Sequence, residues 1–401
     1  MKTVLFRALI FSAVATAMSA SNPLAAAFEE GKPTLNIRTR YEDVSQTGLN
    51  DATALTLRAR VGYTTGQVSG WQAHFDLEHI TALDSDQYNQ AGLNPGGAGR
   101  AVIADPEHTE INQVFLRYTH NQTTVTAGRQ RFVLDNVRFI GDVGWRQNQQ
   151  TFDAIVVQDQ NAENLKLTYA YLHQINRIFG DDHPAGQWDS DSHLFNVHHD
   201  GLSLGALTGY AYLLDFDNAA ANSCATYGLS FDGKKSINDD VALTYRAEYA
   251  AQSNYGSSPL SYSTHYLSLS VGFDSDPWSV AFNHEILGSD RGVGFKTPLA
   301  TLHAFNGWAD QFLNTPAQGL KDTYLTVVGN VIFGAKLIVS YHDFETDQDS
   351  LDAGNELDIL LEKTFNQHYT VGVKYADYQA DDEFPSLVDT EKFWVYGQVK
   401  F

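Results

Sequence analysis

Residues 390–401, TEKFWVYGQVKF, end the chain on a strand that can be read side chain by side chain. Phe393, Val395, Val399 and Phe401 fall on one face, and Lys392, Trp394, Tyr396, Gln398 and Lys400 on the other. Successive strand residues point to opposite faces, so this alternation marks a surface that is apolar on one side and wet on the other. Alone it would also suit a soluble sheet. Closing on a terminal aromatic carboxylate, it is the way barrels of bacterial outer membranes typically end.

What places the pattern in a membrane is its recurrence. Leu55, Leu57, Ala59, Val61 and Tyr63 alternate with Thr56, Arg58, Arg60 and Gly62, and Trp71, Ala73, Phe75 and Leu77 with Gln72, His74, Asp76 and Glu78. The same rhythm runs through 241–249, 267–273 and 369–375. Each segment has the period and length of a tilted membrane-crossing strand. Short turns are predicted near 64–70, 120–122, 159–163, 199–202, 232–239, 274–277, 329–335 and 365–368. Longer polar connections are predicted near 43–52, 82–108, 131–150, 174–191, 217–224, 252–261, 287–321, 345–354 and 379–389. Short periplasmic turns and long extracellular loops are the asymmetry of an outer-membrane barrel. Trp71 and Trp278 each follow a short turn, where an interfacial aromatic girdle belongs. The predicted fold class is therefore all-β, a transmembrane antiparallel β-barrel of about 18 strands. A soluble solenoid or sandwich explains neither the loop asymmetry nor Phe401.

Aromatic residues make up 12% of the chain, yet no stretch beyond the N-terminus approaches the roughly 18 apolar residues of a spanning helix. A closed barrel reconciles the two, because only alternate strand residues face lipid. At the N-terminus, Lys2 and Arg7 precede an apolar run from Ala8 to Met18, and Ala25-Ala26-Ala27 offers a small-residue cleavage site. That is a secretory leader over residues 1–27, followed by one barrel domain over 28–401. Few residues separate the site from the first strand, too few for the plug of an energy-coupled transporter. Cys224 is the only cysteine and is read as an unpaired loop thiol without a catalytic role. The location expected is the outer membrane of a Gram-negative bacterium. Its lipid and lipopolysaccharide would surround the barrel, and the assembly machinery would read the strand ending in Phe401.

Function then becomes a question about a pore. On this phasing, basic side chains line the wet face of the first strands: Arg38 and Arg40, Arg58 and Arg60, Arg117, and Arg129. Arg131, Arg138 and Arg146 follow in the third long loop, and Arg246, Lys374, Lys392 and Lys400 continue the set. Guanidinium groups are always charged and bind carboxylates in a fork, so such a track suits a carboxylated or polyanionic solute. Several weak sites in series let an anion enter without trapping it. The opposing reading is structural: Glu42, Asp76, Glu78, Asp153, Glu248, Glu285, Asp358 and Glu362 can pair with these arginines inside the lumen. The chain carries 48 acidic residues against 26 basic ones, many of the acids in outer loops such as Asp181, Asp182, Asp347, Asp381 and Glu383. There they solvate the loops or bridge divalent cations to lipopolysaccharide. No ligand spacing is diagnostic of a dedicated metal site.

The 287–321 connection is unusually apolar. Leu299, Leu302, Phe305, Trp308 and Phe312 follow helical spacing, which predicts a short amphipathic helix that either enters the mouth or caps it. Enzymatic readings find little support. His198 and His199 fall at a predicted turn, His183 and Asp182 in a loop, and none has the partners of a triad or dyad. No phosphate loop, dinucleotide fingerprint or zinc signature appears, so no cofactor is expected. The acidic balance argues against nucleic acid.

Four of these segments also carry a family resemblance. GRQRFVLDNVRFIGDVGWRQNQQTFDA (128–154), INRIFGDDHPAGQWDSDSHLFNV (175–197), YAYLLDF (210–216) and TPLATLHAFNGWADQFLNTPAQGLKD (297–322) resemble the alginate-export family of outer-membrane channels. The likeness runs from about residue 110 to 330. It implies an eighteen-strand barrel with an arginine-rich lumen passing an anionic uronate polysaccharide by diffusion. It also implies that Arg129, Arg138 and Arg146, with the closing acid Asp153, lie at or near the constriction. The expected function is passive diffusion of anionic solutes, uronate polysaccharide or oligosaccharide foremost. The alternative is a general porin or small-nutrient channel in which the arginines merely pair with lumenal acids.

Overall fold

The alternation closes into a ring. The computed structural model describes residues 23–401; residues 1–22 of the leader expected over 1–27 lie outside the described residues. Pro23–Glu29 forms a two-turn helix, α1. The strands that follow are β1 (Lys32–Gln46), β2 (Ala52–Thr64), β3 (Trp71–Ala82), β4 (His108–His120), β5 (Thr123–Gln130) and β6 (Thr151–Asp159). Next come β7 (Leu165–Asn176), β8 (Gln187–Leu202), β9 (Gly205–Leu214), β10 (Cys224–Ser236), β11 (Ala242–Asn254), β12 (Ser263–Ser275) and β13 (Trp278–Leu287). A two-residue hairpin, β14 (Ser289–Asp290) with β15 (Val293–Gly294), stands apart. The barrel resumes with β16 (Leu320–Asn330), β17 (Lys336–Glu345), β18 (Asp352–Phe365), β19 (Tyr369–Gln379) and β20 (Thr390–Lys400).

All but the small hairpin form one 18-stranded antiparallel sheet, and β20 pairs back onto β1. Main-chain bonds between Leu35 and Phe401, 3.0 and 2.8 Å, end that seam. Closure leaves no edge, so every strand amide is satisfied without water, which is the condition for crossing a bilayer. Leu57, Val61, Phe75, Leu116, Phe282 and Val371 are exposed on the outward face, while Arg58, Glu78 and Lys374 are buried on the inward one. An outward apolar wall around a polar interior is that of an outer-membrane barrel. Trp71 and Trp278 open β3 and β13 and are exposed at the turn side, as the girdle reading requires. Among the described residues no helix is long and apolar enough to cross a membrane.

Several readings need correction. The strands reach further than the alternation suggested, so the first outer connection is only 47–51 and the turn placed at 232–239 is 237–241. For the same reason His198 and His199 lie within β8 rather than in a turn. Cys224 is not a loop thiol; it opens β10 and is fully buried. The helix in 287–321 is absent: only Leu302–Ala304 makes one 3-10 turn. The backbone is left-handed at Asn306, Gly307 and Asp310, which no α-helix can carry. Arg129 and Asp153 are on the wrong face. Their register partners and strand neighbours Val114, Ala127 and Ile155 are exposed on the outside, so the pair points away from the lumen near the outer rim. In β5 it is Thr126, the partner of Arg117, that faces inward.

Candidate functional site

Two outer loops fold back into the barrel. The 131–150 loop reaches the β8–β9 wall, where Asn196 and Tyr212 donate to Asp135 (2.8 and 3.1 Å). It also reaches the β1–β2 wall, where Arg38 and Arg58 donate to its backbone. Those walls stand six to eight strands apart in the eighteen-strand ring, on well-separated sides, so the loop crosses the lumen. The 288–319 loop packs against it. Ile140 and Leu299 form a parallel bridge, Gly141 N–H donates to Leu299 O (2.7 Å) and Thr301 N–H to Val137 O (3.0 Å). The 288–319 loop thus enters the lumen and also packs on the neighbouring 131–150 loop, joining the two alternatives drawn for it.

Aromatic and amide side chains hold the layer in place. Phe139 lies among Tyr210, Tyr212, Tyr266 and Phe295, so the main apolar core is inside the barrel. In the run Gln147–Gln150 every side chain is buried. The Gln147 amide donates to Thr56 Oγ1 (2.8 Å) and accepts from Arg38 Nε (2.9 Å), and Gln149 accepts from Arg60 (2.7 Å). Gln150 donates to Gly141 O (2.9 Å). These amides fix the loop to the wall without adding charge.

The loop residues predicted as pathway arginines are mostly paired. Arg138 contacts Glu285 at 2.9 Å and donates to Asn306 (3.0 Å). Arg146 holds Glu42 at 3.0 Å and Asp310 at 3.2 Å. Burial pushes the Arg146 guanidinium down, but Glu42 and Asp310 outweigh it and leave its pKa above the ordinary value. Arg131, half-exposed, pairs with Asp142. On the strands Arg40 pairs with Asp105 and Glu42, Arg60 with Glu78, and Arg246 with Asp232 and Glu248. Arg129 makes a two-pronged pair with Asp153 (2.7 and 3.1 Å), on the outward face.

Three inward arginines have no carboxylate within ion-pair distance among the described residues. Arg38 donates to Gln147 and to the carbonyls of Gly144 and Arg146. Arg58 donates to Gln147 O (3.1 Å) and Asn36 Oδ1 (2.8 Å). Arg117 meets Thr126 at 3.3 Å and lies over the Phe115 ring. Arg38 and Arg58 are direct cross-strand partners. Like charges so placed destabilise a sheet unless something of opposite sign answers them. Carbonyl oxygens solvate these charges and cancel none of them.

Asp310, His303, Arg177 and Lys296 escaped the sequence reading, whereas Lys374 was already in its basic set. Asp310 accepts from His303 Nδ1 (2.7 Å) and Lys392 (2.7 Å) as well as Arg146. Lys374 sits 3.6 Å from the Trp308 ring centre and 4.4 Å from that of Trp145, and donates to His303 Nε2 (2.7 Å). Burial pushes His303 down to about 3, so it is neutral and can accept from the lysine. Arg177 and Lys296 line two adjoining cavities of about 340 and 590 Å³ on the outer side, Arg177 both and Lys296 the larger. Arg177 lies 4.1 Å over Trp188, and burial alone lowers its pKa to about 10, so it stays charged. Only Lys374 carried a sequence signal, the strand alternation that places it inward, and the four loop residues carried none.

The architecture defines a porin-type outer-membrane barrel narrowed by two inward loops. Residues 33–170 match the family model described as alginate export, so the resemblance holds over that stretch. The matched span starts earlier than the quoted segments and includes only the first of them. None of the curated protein sequences matches the chain. Among solved structures it is similar to OpdK of Pseudomonas aeruginosa with vanillate (TM-score 0.75, 12% identity, 93% of this chain and 99% of that one). It is also similar to OccAB4 of Acinetobacter baumannii (0.74, 12%, 93% and 98%) and OccK9 (OpdG) of P. aeruginosa (0.74, 13%, 94% and 100%). At such identity the likeness is one of fold.

Proposed function

We propose that this barrel is a passive channel for carboxylated anions, uronate sugars and their oligomers foremost. The observation that carries the reading is the cross-strand pair Arg38 and Arg58, two lumen-facing cations with no acid to neutralise them. Arg117 extends the uncompensated charge along the wall, and Arg177 and Lys296 present it in the outer cavities. At about 4 Å and an effective dielectric near 20 an accessible cation attracts an anion by roughly 4 kcal/mol, and Arg38 and Arg58, buried under the 131–150 loop, act on the lumen from further away and more weakly. Spread over several positions, that attraction favours entry and still permits exit. On the same reading, the strand ending in Phe401 is the assembly signal, and outer-loop acids meet lipopolysaccharide through divalent cations.

A second reading restricts the solute to small carboxylates. Two loops across the lumen and cavities of about 340 and 590 Å³ fit a monomer better than a polymer. OpdK, solved with vanillate, is a fold neighbour with a small ligand. The test is the reversal potential of the refolded barrel in a planar bilayer under a salt gradient. Anion preference in the native protein, reduced in Arg38→Gln/Arg58→Gln, supports the channel proposed here; cation preference in the native protein sinks it. Current block by oligouronates identifies the longer solute, and block by monomeric uronate alone the shorter.

A further inference from the structure

Glu78 on β3 and Glu110 on β4 are direct cross-strand partners on the inward face. Two carboxylates so placed repel. Glu78 Oε2 is taken by Arg60 Nε, which leaves Oε1 spare. His108, two residues before Glu110 on the same strand, turns its ring toward both acids. Its Nε2 lies 3.6 Å from Glu78 Oε1 and 3.5 Å from Glu110 Oε1. Those separations are too long for N–H···O bonds, and both His108 Nε2 and Glu78 Oε1 are buried without a hydrogen-bond partner. The other ring nitrogen, Nδ1, stands 3.1 Å from Pro106 O. Nδ1–H therefore points to the Pro106 carbonyl, and Nε2 is the ring atom turned to the space between the acids, where a bound cation would take the place of the Nε2 proton.

We propose that Glu78, His108 and Glu110 bind one divalent first-row transition ion on the lumen wall, with Zn²⁺ the best match. Their three donor atoms all lie within 4.8 Å of one another. Ligands about 2.1 Å from a tetrahedral zinc stand roughly 3.4 Å apart, close to the spacing around His108 Nε2. One imidazole with two carboxylates favours such an ion over Ca²⁺ or Mg²⁺, which prefer oxygen throughout. The Pro106 carbonyl holds the ring as an outer partner holds a metal-binding histidine. The Glu110 side is only partly covered, so water or a small carboxylate can complete the shell there. The two glutamates, Arg60 and a protonated His108 sum to zero. A dication that takes the place of the ring proton leaves one net positive charge beside Arg58 and Arg60 and so adds to the basic wall.

The test is calorimetric titration of the refolded full barrel, stripped of metal, with ZnCl₂, and in parallel the visible absorption of added Co²⁺. The expected result is one saturable equivalent. His108→Gln and Glu110→Gln should each weaken it by more than about tenfold, whereas Glu163→Gln in the short turn between β6 and β7 leaves it unchanged. Heat-modifiable migration on a gel checks that each variant folds, and either folded variant decides the matter. Absence of a saturable equivalent, or binding and a Co²⁺ spectrum that survive both substitutions, overturns the site.

Discussion

Single residues decide whether the loop layer stays docked, and Asp310 is the one with most at stake. It is buried and faces His303, Lys392 and Arg146, which between them bring two fixed cations. Asp310→Asn leaves those cations facing a neutral group, and breaking a buried pair in this way costs about 3–5 kcal/mol. The loss should appear in the loops alone: faster proteolysis within 131–150 and 288–319, with unchanged heat-modifiable migration of the barrel. An unaltered cleavage rate would show that the packing of Trp145 on His303 holds the layer without the charges. The pH dependence follows from the same group. Burial pushes the Asp310 carboxyl up, but His303, Lys392 and Arg146 outweigh it and hold its pKa well below the usual range. A depressed carboxylate contributes its full stability above the unfolded pKa near 4 and loses it as pH falls through the folded value. Loop docking should therefore be as firm at pH 5 as at pH 7 and loosen only in strong acid. Single-channel noise recorded across that range checks this.

At the scale of elements, strands were legible and loops were not. Period two in TEKFWVYGQVKF or in 71–78 reports two different surroundings on the two faces of a strand, and its recurrence along the chain identifies them as lipid and lumen. Strand phase was less secure where polar residues occupy both faces. In TTVTAGRQ the outward pair Arg129 and Asp153 sits at the rim, beyond the lipid, where an outward arginine costs little. The helical spacing of Leu299, Leu302, Phe305, Trp308 and Phe312 reflected burial only in part: Leu299 and Phe312 are buried, Leu302, Phe305 and Trp308 half-buried, with Leu302 facing the outer cavities. They contact their surroundings at several points of a folded loop, and sequence spacing cannot tell that from one helix face. The arginine pairs were half legible. The residue types announced charge, whereas the partners, such as Asp105 for Arg40, are far away in sequence. The loop tip offers a direct test. Gly307 has φ +83°, and a Cβ there would run into the Glu356 carboxylate. Gly307→Val should cost at least the roughly 1–2 kcal/mol of a left-handed β-branched residue, plus the lost bond from Ala309 N–H to Glu356 (2.6 Å). The expected outcome is a larger and noisier conductance from an otherwise intact barrel. A conductance equal to that of the native protein would mean the tip does not limit the pore.

The whole molecule carries a formal net charge of −22, yet the lumen concentrates its uncompensated cations on one stretch of wall. The two facts are compatible because charge acts over a Debye length, about 10 Å at 0.1 M salt and 3 Å at 1 M. Acids on exposed outer loops are screened by bulk electrolyte before they reach the constriction. Arg38 and Arg58 act at short range within it, behind low-dielectric walls that focus their field. Paired residues such as Arg146 with Glu42 and Asp310 contribute geometry more than field, since their charges cancel locally. Selectivity should therefore depend on ionic strength in a particular way. The anion-to-cation permeability ratio, measured from reversal potentials at a fixed salt gradient, should be higher when the mean concentration is 0.1 M than when it is 1 M. In Arg38→Gln/Arg58→Gln that dependence should flatten, because the field it reports has been removed. Arg117→Gln should act in the same direction and more weakly, being a single charge over an aromatic ring. A permeability ratio that does not change with salt would assign selectivity to direct contacts at the loop layer, and one that rises with salt would assign it to the outer acids repelling anions before they enter.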